Sequence, residues 1–368
     1  MSRRSEAAAT LAAAAPAGRE DAATGAPAAG PGRWGRSGLL HRLVVRPELG
    51  AALGALLVFG FFSTITGQFL SPLGAATWLD DSATLGIVAV AVALLMIGGE
   101  FDLSAGVLTA STALVTSLLA VRLGWNVWAA LLAALVFAIA VGALNGWLVM
   151  RTGLPSFIVT LGSFLALQGL NLGVTRTVTG TVQVGGMRAT DGYTSAGSLF
   201  ASTMDLGGTT FPTSIVWWLG VTAVASVVLV RTRFGNWIFA VGGSAPSARQ
   251  VGVPVQRTKI LLFMTTSAAA WLVGSINLLR YTTVQANQGV GLEFQYIIAA
   301  VIGGCLMTGG FGSAVGAAIG ALIFGMARQG IVFARWNSDW FMLFLGLMLI
   351  SAVLVNNTFR RRAERARR

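Results

Sequence analysis

The sequence predicts an all-α integral membrane protein with about ten transmembrane helices, with both chain ends on the cytoplasmic side. Two observations carry this prediction. The 368 residues are 55% hydrophobic and only 10% charged, whereas a soluble protein carries about a quarter charged residues. The apolar residues also form several uninterrupted runs close to the roughly 20 residues that cross the hydrocarbon of a bilayer.

Ten apolar runs follow one another along the chain, and each is read as one membrane span. They lie at about 49–70, 83–98, 103–121, 125–150, 154–175, 213–231, 260–280, 294–308, 313–333 and 339–357. The second, third and eighth are short for a helix that crosses perpendicular to the membrane. The hairpins around Gly98-Gly99 and Gly309-Gly310 are therefore candidates for broken or re-entrant helices.

The domain organisation follows from composition. Residues 1–46 are rich in Ala, Gly, Pro and Arg without apolar periodicity, which indicates a disordered basic cytoplasmic tail. Residues 47–357 form the transmembrane domain, which includes an external loop at 176–212 and a basic cytoplasmic loop at 232–259. Residues 358–368 form a second basic cytoplasmic tail, suited to contact with anionic membrane lipid.

The orientation follows from the distribution of Lys and Arg. When the N-terminus is placed inside, the cytoplasmic segments hold 19 of the 25 basic residues, as the positive-inside rule requires. The net charge of +12 is therefore explained by membrane topology, and nucleic acid is not expected as a partner.

Several kinds of chemistry are missing from the sequence. Lys259 is the only lysine and is not part of a Gly-Lys-Ser/Thr phosphate-binding loop. His41 is the only histidine, which excludes zinc sites built on histidine pairs and Ser-His-Asp or Cys-His catalytic groups. No carboxylate falls in the middle of a predicted span. We expect no enzyme, no metal and no cofactor in this chain, and transport either by passive flow or with energy from another chain.

Two carboxylates interrupt the apolar sequence in "MIGGEFDLSAG", residues 96–106. They could form a proton site, a metal site or a cap between two membrane helices. Gly98-Gly99 ends one span, and Asp102 precedes the next, where a carboxylate accepts hydrogen bonds from free helix amides. We expect Glu100, Asp102 and Ser104 to form a helix cap at the cytoplasmic face, with a gate or a partner contact as the alternative.

Amide side chains within the spans are candidates for a translocation path. Asn145, Gln168, Asn171 and Asn277 each need a partner or water, because an unpaired amide in hydrocarbon is costly. Phe164, Gln168 and Asn171 share one helix face by their spacing, and an aromatic ring with amides suits a sugar. Hydrogen bonds that only pack helices together are the alternative.

Five stretches resemble one transporter family, in order and over roughly residues 50–357. They are "GGEFDLSAG", "NGWLVMRTGLPSFIVTLGSFLALQGL", "TRFGNWIFAVGGSAPSARQVGVPV", "IIAAVIGGCLMTGGFGSAVGAAIGAL" and the last apolar span with its basic tail. They are similar to the signatures of permease subunits of ribose/xylose/galactoside-type ABC importers. Glu100 stands at a position that also varies in that family.

The resemblance implies a multi-subunit importer of a monosaccharide in a bacterial plasma membrane. Its partners are an ABC ATPase that carries ATP and Mg²⁺, a periplasmic or lipid-anchored sugar-binding protein, and a second permease subunit, identical or a sibling. Loop 232–259 then contacts the ATPase through a short amphipathic helix in "SAPSARQVG". Gly242 and Gly243 would reverse the chain, and Ala248, Arg249 and Gly252 would couple the two subunits.

Two alternatives remain open on the sequence. One is the same architecture carrying a nucleoside or another small polar solute. The other is a carrier or exporter of ten helices that needs no ATPase.

Overall fold

The computed structural model describes residues 47–337 and 339–351, and it is built from helices. Eight helices are long and apolar enough to cross a membrane, and two further apolar helices are shorter. The long helices are α1 (Pro47–Ile65), α2 (Pro72–Ile97), α3 (Ala105–Ser117), α4 (Val127–Thr152), α5 (Ser156–Thr179), α7 (Ser214–Arg231), α10 (Val255–Tyr281) and α12 (Ala314–Phe333). The shorter ones are α11 (Leu292–Ile302) and α13 (Trp340–Ser351). The prediction of an all-α multi-pass membrane protein is confirmed.

Three small helices, two 3-10 turns and two short pairs of antiparallel strands also occur in the described part of the chain. The helices are α6 (Tyr193–Phe200), α8 (Arg233–Gly243) and α9 (Ala245–Gln250). Strand β1 (Gln183–Val184) pairs antiparallel with β4 (Val284–Gln285), and β2 (Thr203–Leu206) pairs with β3 (Thr209–Pro212). A π-helical turn, Leu118–Arg122, extends α3. The tails predicted at 1–46 and 358–368 lie outside the described residues.

The second span is longer than predicted. It was expected at 83–98, but α2 begins at Pro72 and runs for 26 residues. Ser71 starts the helix, because its hydroxyl accepts a hydrogen bond from the Gly74 amide at 3.0 Å and Pro72 fits the first helical position. Asp80 and Asp81, which looked like a span end, lie on this helix.

Helix α2 is the centre of the molecule. It packs against α7, α10, α11 and α12, and 83% of its most apolar window is buried, compared with 17% for α1 and α5. Residues 85–98 are buried without interruption, so this segment is apolar on every side. Small residues permit the close crossings: a side chain at Gly86 would overlap Trp218 of α7.

The chain makes the same turn twice. After α2 and again after α11, a glycine at the helix end is followed by one with positive φ, namely Gly99 at +84° and Gly304 at +91°. In both turns the next amide reaches back to a helix carbonyl, Glu100 to Leu95 at 3.1 Å and Cys305 to Ala300 at 3.0 Å. This is a Schellman ending. Segments 100–104 and 305–313 then run without helix before α3 and α12 begin.

The basic loop at 232–259 is ordered as two helices, α8 and α9, followed by the start of α10. The predicted short helix in "SAPSARQVG" is α9, with Pro246 in its first turn. Gly242 and Gly243 do not reverse the chain. They are the last residues of α8, and the direction changes at Ser244, whose backbone is extended.

Candidate functional site

Helices α8 and α9 form a small platform in the loop predicted to be cytoplasmic. Thr232 caps α8 by accepting a hydrogen bond from the Gly235 amide at 3.1 Å, and Ser244 plays the same part for α9. Ala248 is 3% exposed and packs with Val241 of α8 and Val255 of α10. The platform is therefore held to the first turn of a membrane-spanning helix by an apolar contact.

The outer face of α9 is open to contact. Arg249 is exposed on it, and the neighbouring Val251 is 79% exposed. Gly252 has φ +85°, a conformation that only glycine adopts without strain, and it leads the chain into α10. The structure thus separates the predicted coupling residues: Ala248 anchors the platform, Gly252 turns the chain, and Arg249 faces outward. Sequence reasoning missed Val251. Its only signal in the sequence is that an apolar residue stands between Gln250 and Gly252 in a basic loop.

Glycines from three parts of the chain meet where α8 ends. We call Gly99, Gly242, Gly243, Gly309 and Gly310 the glycine vertex. The Gly310 amide donates to the Ile97 carbonyl at 2.8 Å, and a side chain on Gly242 would overlap that same oxygen. The platform therefore touches both non-helical turns, backbone against backbone.

A buried ion pair lies beside the glycine vertex. Lys259, in α10, donates to a carboxylate oxygen of Glu100. Lys259 is 9% exposed and Glu100 is 7% exposed. The pair joins the segment after α2 to the helix that follows the platform, across 159 residues of sequence.

Asp102 is the centre of a buried polar chain. Its Oδ1 accepts hydrogen bonds from the Ser104 amide at 2.8 Å and from the Ser104 hydroxyl at 2.6 Å. Asn145 of α4 donates to the Ser104 hydroxyl at 3.0 Å and accepts from Ser163 of α5. Of the three residues expected to cap α3, Asp102 binds the Ser104 amide, Ser104 makes no side-chain cap bond, and Glu100 pairs with Lys259 instead. Asn145 is fully buried and is held by these hydrogen bonds.

Helix α5 supplies the other partners of this segment. Ser156 accepts from the Phe101 amide at 3.0 Å, and Thr160 accepts from the Leu103 amide at 3.1 Å. Together with Ser163 these hydroxyls lie one turn apart on one face of α5. They satisfy backbone groups that would otherwise be unpaired in hydrocarbon.

The predicted face of Phe164, Gln168 and Asn171 continues along α5, which packs on α3. Phe164 packs against an apolar cluster that includes Leu167 and Leu108. Gln168 is half-buried. Asn171 is 7% exposed, and its Nδ2 has no hydrogen-bond partner within the described residues.

Asn277 lies apart from that face, in a cleft between α3, the end of α10 and the segment around β4. The enclosed space in the cleft is about 10 Å³, room for about one water molecule. Its lining residues are Thr109, Ala110, Ala113, Gly274, Asn277, Leu278, Thr283, Val284 and Gln288. They are hydroxyl, amide and apolar groups, and none carries a charge.

A polar network ties helices together near the other end of α2. Arg280 of α10 donates to both oxygens of Asp80, at 2.9 and 2.7 Å, and Ser214 of α7 donates to the same carboxylate. Gln329 of α12 donates to Asp81. Both acids thus join α2 to its neighbours. Across the described ranges, no group of three or more His, Cys, Asp and Glu residues could hold a metal ion.

Comparison with known proteins gives consistent results. The family described as branched-chain amino acid transport system / permease component matches residues 74–353. The ribose import permease protein RbsC of Escherichia coli K12 is 30% identical over 84% of this chain and 94% of its own length.

Further relatives agree with this result. The xylose transport system permease protein XylH of the same strain is 31% identical over 85% of this chain and 92% of its own length. A probable ABC transporter permease protein, YphD, also of that strain, is 31% identical over 91% and 97%. No solved structure matches the chain. With a match over most of its length and helices that fit a multi-pass membrane protein, this chain belongs to the permease-component family of transport systems.

Proposed function

We propose that this chain is the permease subunit of an ABC importer for a monosaccharide, a pentose or a hexose. The relatives that match it over most of its length are named as ribose and xylose permeases. The observation that carries the proposal is this match over most of both chains, and the uncharged lining of the cleft at Asn277 agrees with it. Hydroxyl and amide groups pair with sugar hydroxyls, whereas the ammonium and carboxylate of a free amino acid need charged or strongly polar partners.

The proposed path runs from this cleft along α3 towards the segment 100–104. Gln168 and Asn171 are its candidate lining on the α5 side of α3, and Asn277 is the candidate in the separate cleft. Phe164 is the candidate aromatic contact for the apolar face of a sugar. Asn145 has a different part: by holding Ser104 it fixes the inner segment past which the solute moves. The same neutral lining fits the alternative of a nucleoside or another small polar solute.

The energy comes from a separate ATPase subunit, which binds ATP and Mg²⁺. The platform of α8 and α9 suits this contact, because it presents Arg249 and Val251 outward and is anchored to α10 through Ala248. Closure of the ATPase moves the platform, and the glycine vertex transmits the movement to the two non-helical turns. This chain supplies no cofactor of its own.

The complete importer contains further subunits in a bacterial plasma membrane. A periplasmic or lipid-anchored binding protein delivers the sugar to the outer side, where the cleft and the paired strands β1 and β4 lie under the predicted orientation. A second permease subunit, identical or a sibling, completes the path. The exposed apolar faces of peripheral helices such as α5, 17% buried in its most apolar window, suit lipid and that second subunit.

The experiment is reconstitution in liposomes with the ATPase and the binding protein, followed by uptake of labelled ribose, xylose, a nucleoside and leucine. We expect ATP-dependent accumulation of a sugar and none of leucine. Accumulation of leucine would contradict the solute assignment. Concentration of solute by this chain alone, without nucleotide, would contradict the importer and favour the stand-alone carrier. Calorimetry of the binding protein identifies the sugar independently.

Arg249→Glu tests the platform. Because Arg249 is exposed, the fold should be unchanged, while reversal of charge at the ATPase contact should lower uptake and ATPase stimulation by about tenfold or more. Capture of sugar by the binding protein should stay intact. Arg151→Glu, the same charge change at the exposed cytoplasmic end of α4, is the control. Equal uptake in Arg249→Glu and wild type at equal expression would refute the coupling assignment.

A further inference from the structure

We propose that the ion pair of Glu100 and Lys259 is a latch: it is closed in one state of the transport cycle and open in another, and it positions the inner segment 100–104. The inference rests on the proposed function, since the movement that opens it comes from the ATPase. It adds two positioning residues, one of them the only lysine of the chain.

The position of Lys259 connects the platform with the inner segment. Val255, one helical turn before Lys259, packs against Ala248 of α9. Glu100 directly follows Gly99, whose neighbours in the glycine vertex belong to α8 and to the 305–313 segment. A shift of α9 and the start of α10 relative to Gly99 therefore pulls directly on the bond between Lys259 and Glu100.

The inner segment cannot follow such a shift freely. Ser156 and Thr160 of α5 hold the amides of Phe101 and Leu103, and Asn145 holds Ser104. These hydrogen bonds tie segment 100–104 to α4 and α5, whereas Lys259 belongs to α10. The ion pair is thus a contact between the start of α10 and a non-helical segment that other helices hold.

The chemistry of the pair suits repeated opening. A buried ion pair adds little stability over apolar side chains of similar size, because both charges lose hydration. When the pair separates towards the cytoplasm, each charge regains water, whereas separated apolar side chains would lose by exposure. A charged contact here therefore makes separation easier than an apolar one would.

The lone lysine makes the latch directly measurable. The experiment treats the complete complex with an amine-reactive ester, first without nucleotide and then trapped with ATP, and mass spectrometry follows the peptide that contains Lys259. We expect the labelling rate of Lys259 to differ by about tenfold or more between the two states, within the usual range of allosteric coupling. Equal rates in the two states would overturn the proposal.

A matched variant controls for reagent access. Lys259→Arg combined with Arg257→Lys moves the only lysine two positions towards the N-terminus, to an exposed site on the same helix. Its labelling should be fast and equal in both states. State-dependent labelling of this variant, equal to that of wild type, would show that ATPase contact shields the whole region, and it would overturn the latch.

Exchanging the charges of Glu100 and Lys259 provides a second test of the latch. Lys259→Met should lower ATP-driven uptake by about tenfold and raise ATP hydrolysis that does not require the binding protein. Glu100→Lys with Lys259→Glu should restore uptake to within about threefold of wild type, since the pair is re-formed. Arg257→Met is the control for loss of a nearby positive charge and should retain uptake.

These outcomes distinguish a failure of the latch proposal from a failure of the proposed transport function. If the wild-type complex shows no ATP-driven uptake, the proposed function fails. If wild type transports and Arg249→Glu does not, but the exchange is no better than Lys259→Met, the latch alone is refuted. Thermal unfolding of each variant identifies those that do not fold, and for them the labelling of wild type decides.

Discussion

Gly242 and Gly243 are neighbours at the end of α8, and replacing each by alanine should have opposite results. Around Gly243 a side chain would meet no atom within 4 Å. At Gly242 it would overlap the Ile97 carbonyl oxygen. That oxygen is backbone, and it accepts the Gly310 amide at 2.8 Å, so it cannot move away without breaking a hydrogen bond.

The magnitude follows from three contributions. Overpacking costs about 1–3 kcal/mol, and the strained or lost hydrogen bond costs about 1 kcal/mol. Alanine in place of glycine returns up to about 1 kcal/mol as a better helix former. Gly242→Ala should therefore lower the free energy of unfolding by about 1–3 kcal/mol, which for a chain of this size is about 1–4 °C in apparent Tm.

The assay is thermal unfolding of the purified complex in detergent, together with ATP-driven uptake. Gly243→Ala is the matched control and should unfold at the same temperature as wild type or slightly higher. We expect Gly242→Ala to lose uptake as well, because its contact with Ile97 is the junction between platform and turn. Indistinguishable apparent Tm values for the two variants would refute the close approach at the glycine vertex.

Two further substitutions test the polar contacts of α2 and its turn. Asp102→Asn keeps an acceptor for the amide and hydroxyl of Ser104 and should unfold within about 1 kcal/mol of wild type, whereas Asp102→Leu leaves both buried and unpaired and should cost about 2–3 kcal/mol; equal melting of the two in thermal unfolding would contradict the hydrogen-bonded cap. Arg280→Met leaves the Asp80 carboxylate without its bidentate partner and should cost about 1–2 kcal/mol, since the pair is partly exposed. The double variant with Asp80→Asn should recover part of that loss in the same assay, and a strictly additive result would show that the two side chains do not interact.

The sequence predicted the helices well because each helix corresponds to an apolar run within its own segment of the chain. Nearly every apolar run of sufficient length became a helix, and the turn at Gly98-Gly99 could be anticipated from two glycines before a polar group. The predicted start of α2 was wrong because Asp80 and Asp81 resemble the end of a span when their partners Arg280 and Gln329 are not known. Those partners lie 200 and 248 residues further along the chain.

The site was less predictable, since its contacts join distant segments. An amide at 145 had to find a partner, but nothing in the pattern named Ser104. Lys259 looked like one more basic residue of a cytoplasmic loop, and only the fold places it against Glu100. Gly242 and Gly243 are equivalent in sequence, and their surroundings alone distinguish them.

The shortness of α11 has a consequence for biogenesis. Its 11 residues rise only about 16 Å, roughly half of the hydrocarbon thickness, and the chain beyond it is not helical until α12. Such a segment cannot leave the translocon into lipid by itself, because its open amides would be unpaired there. One of them, at Gly310, finds its acceptor on Ile97, so the segment after α11 can complete its backbone pairing only once α2 is in place.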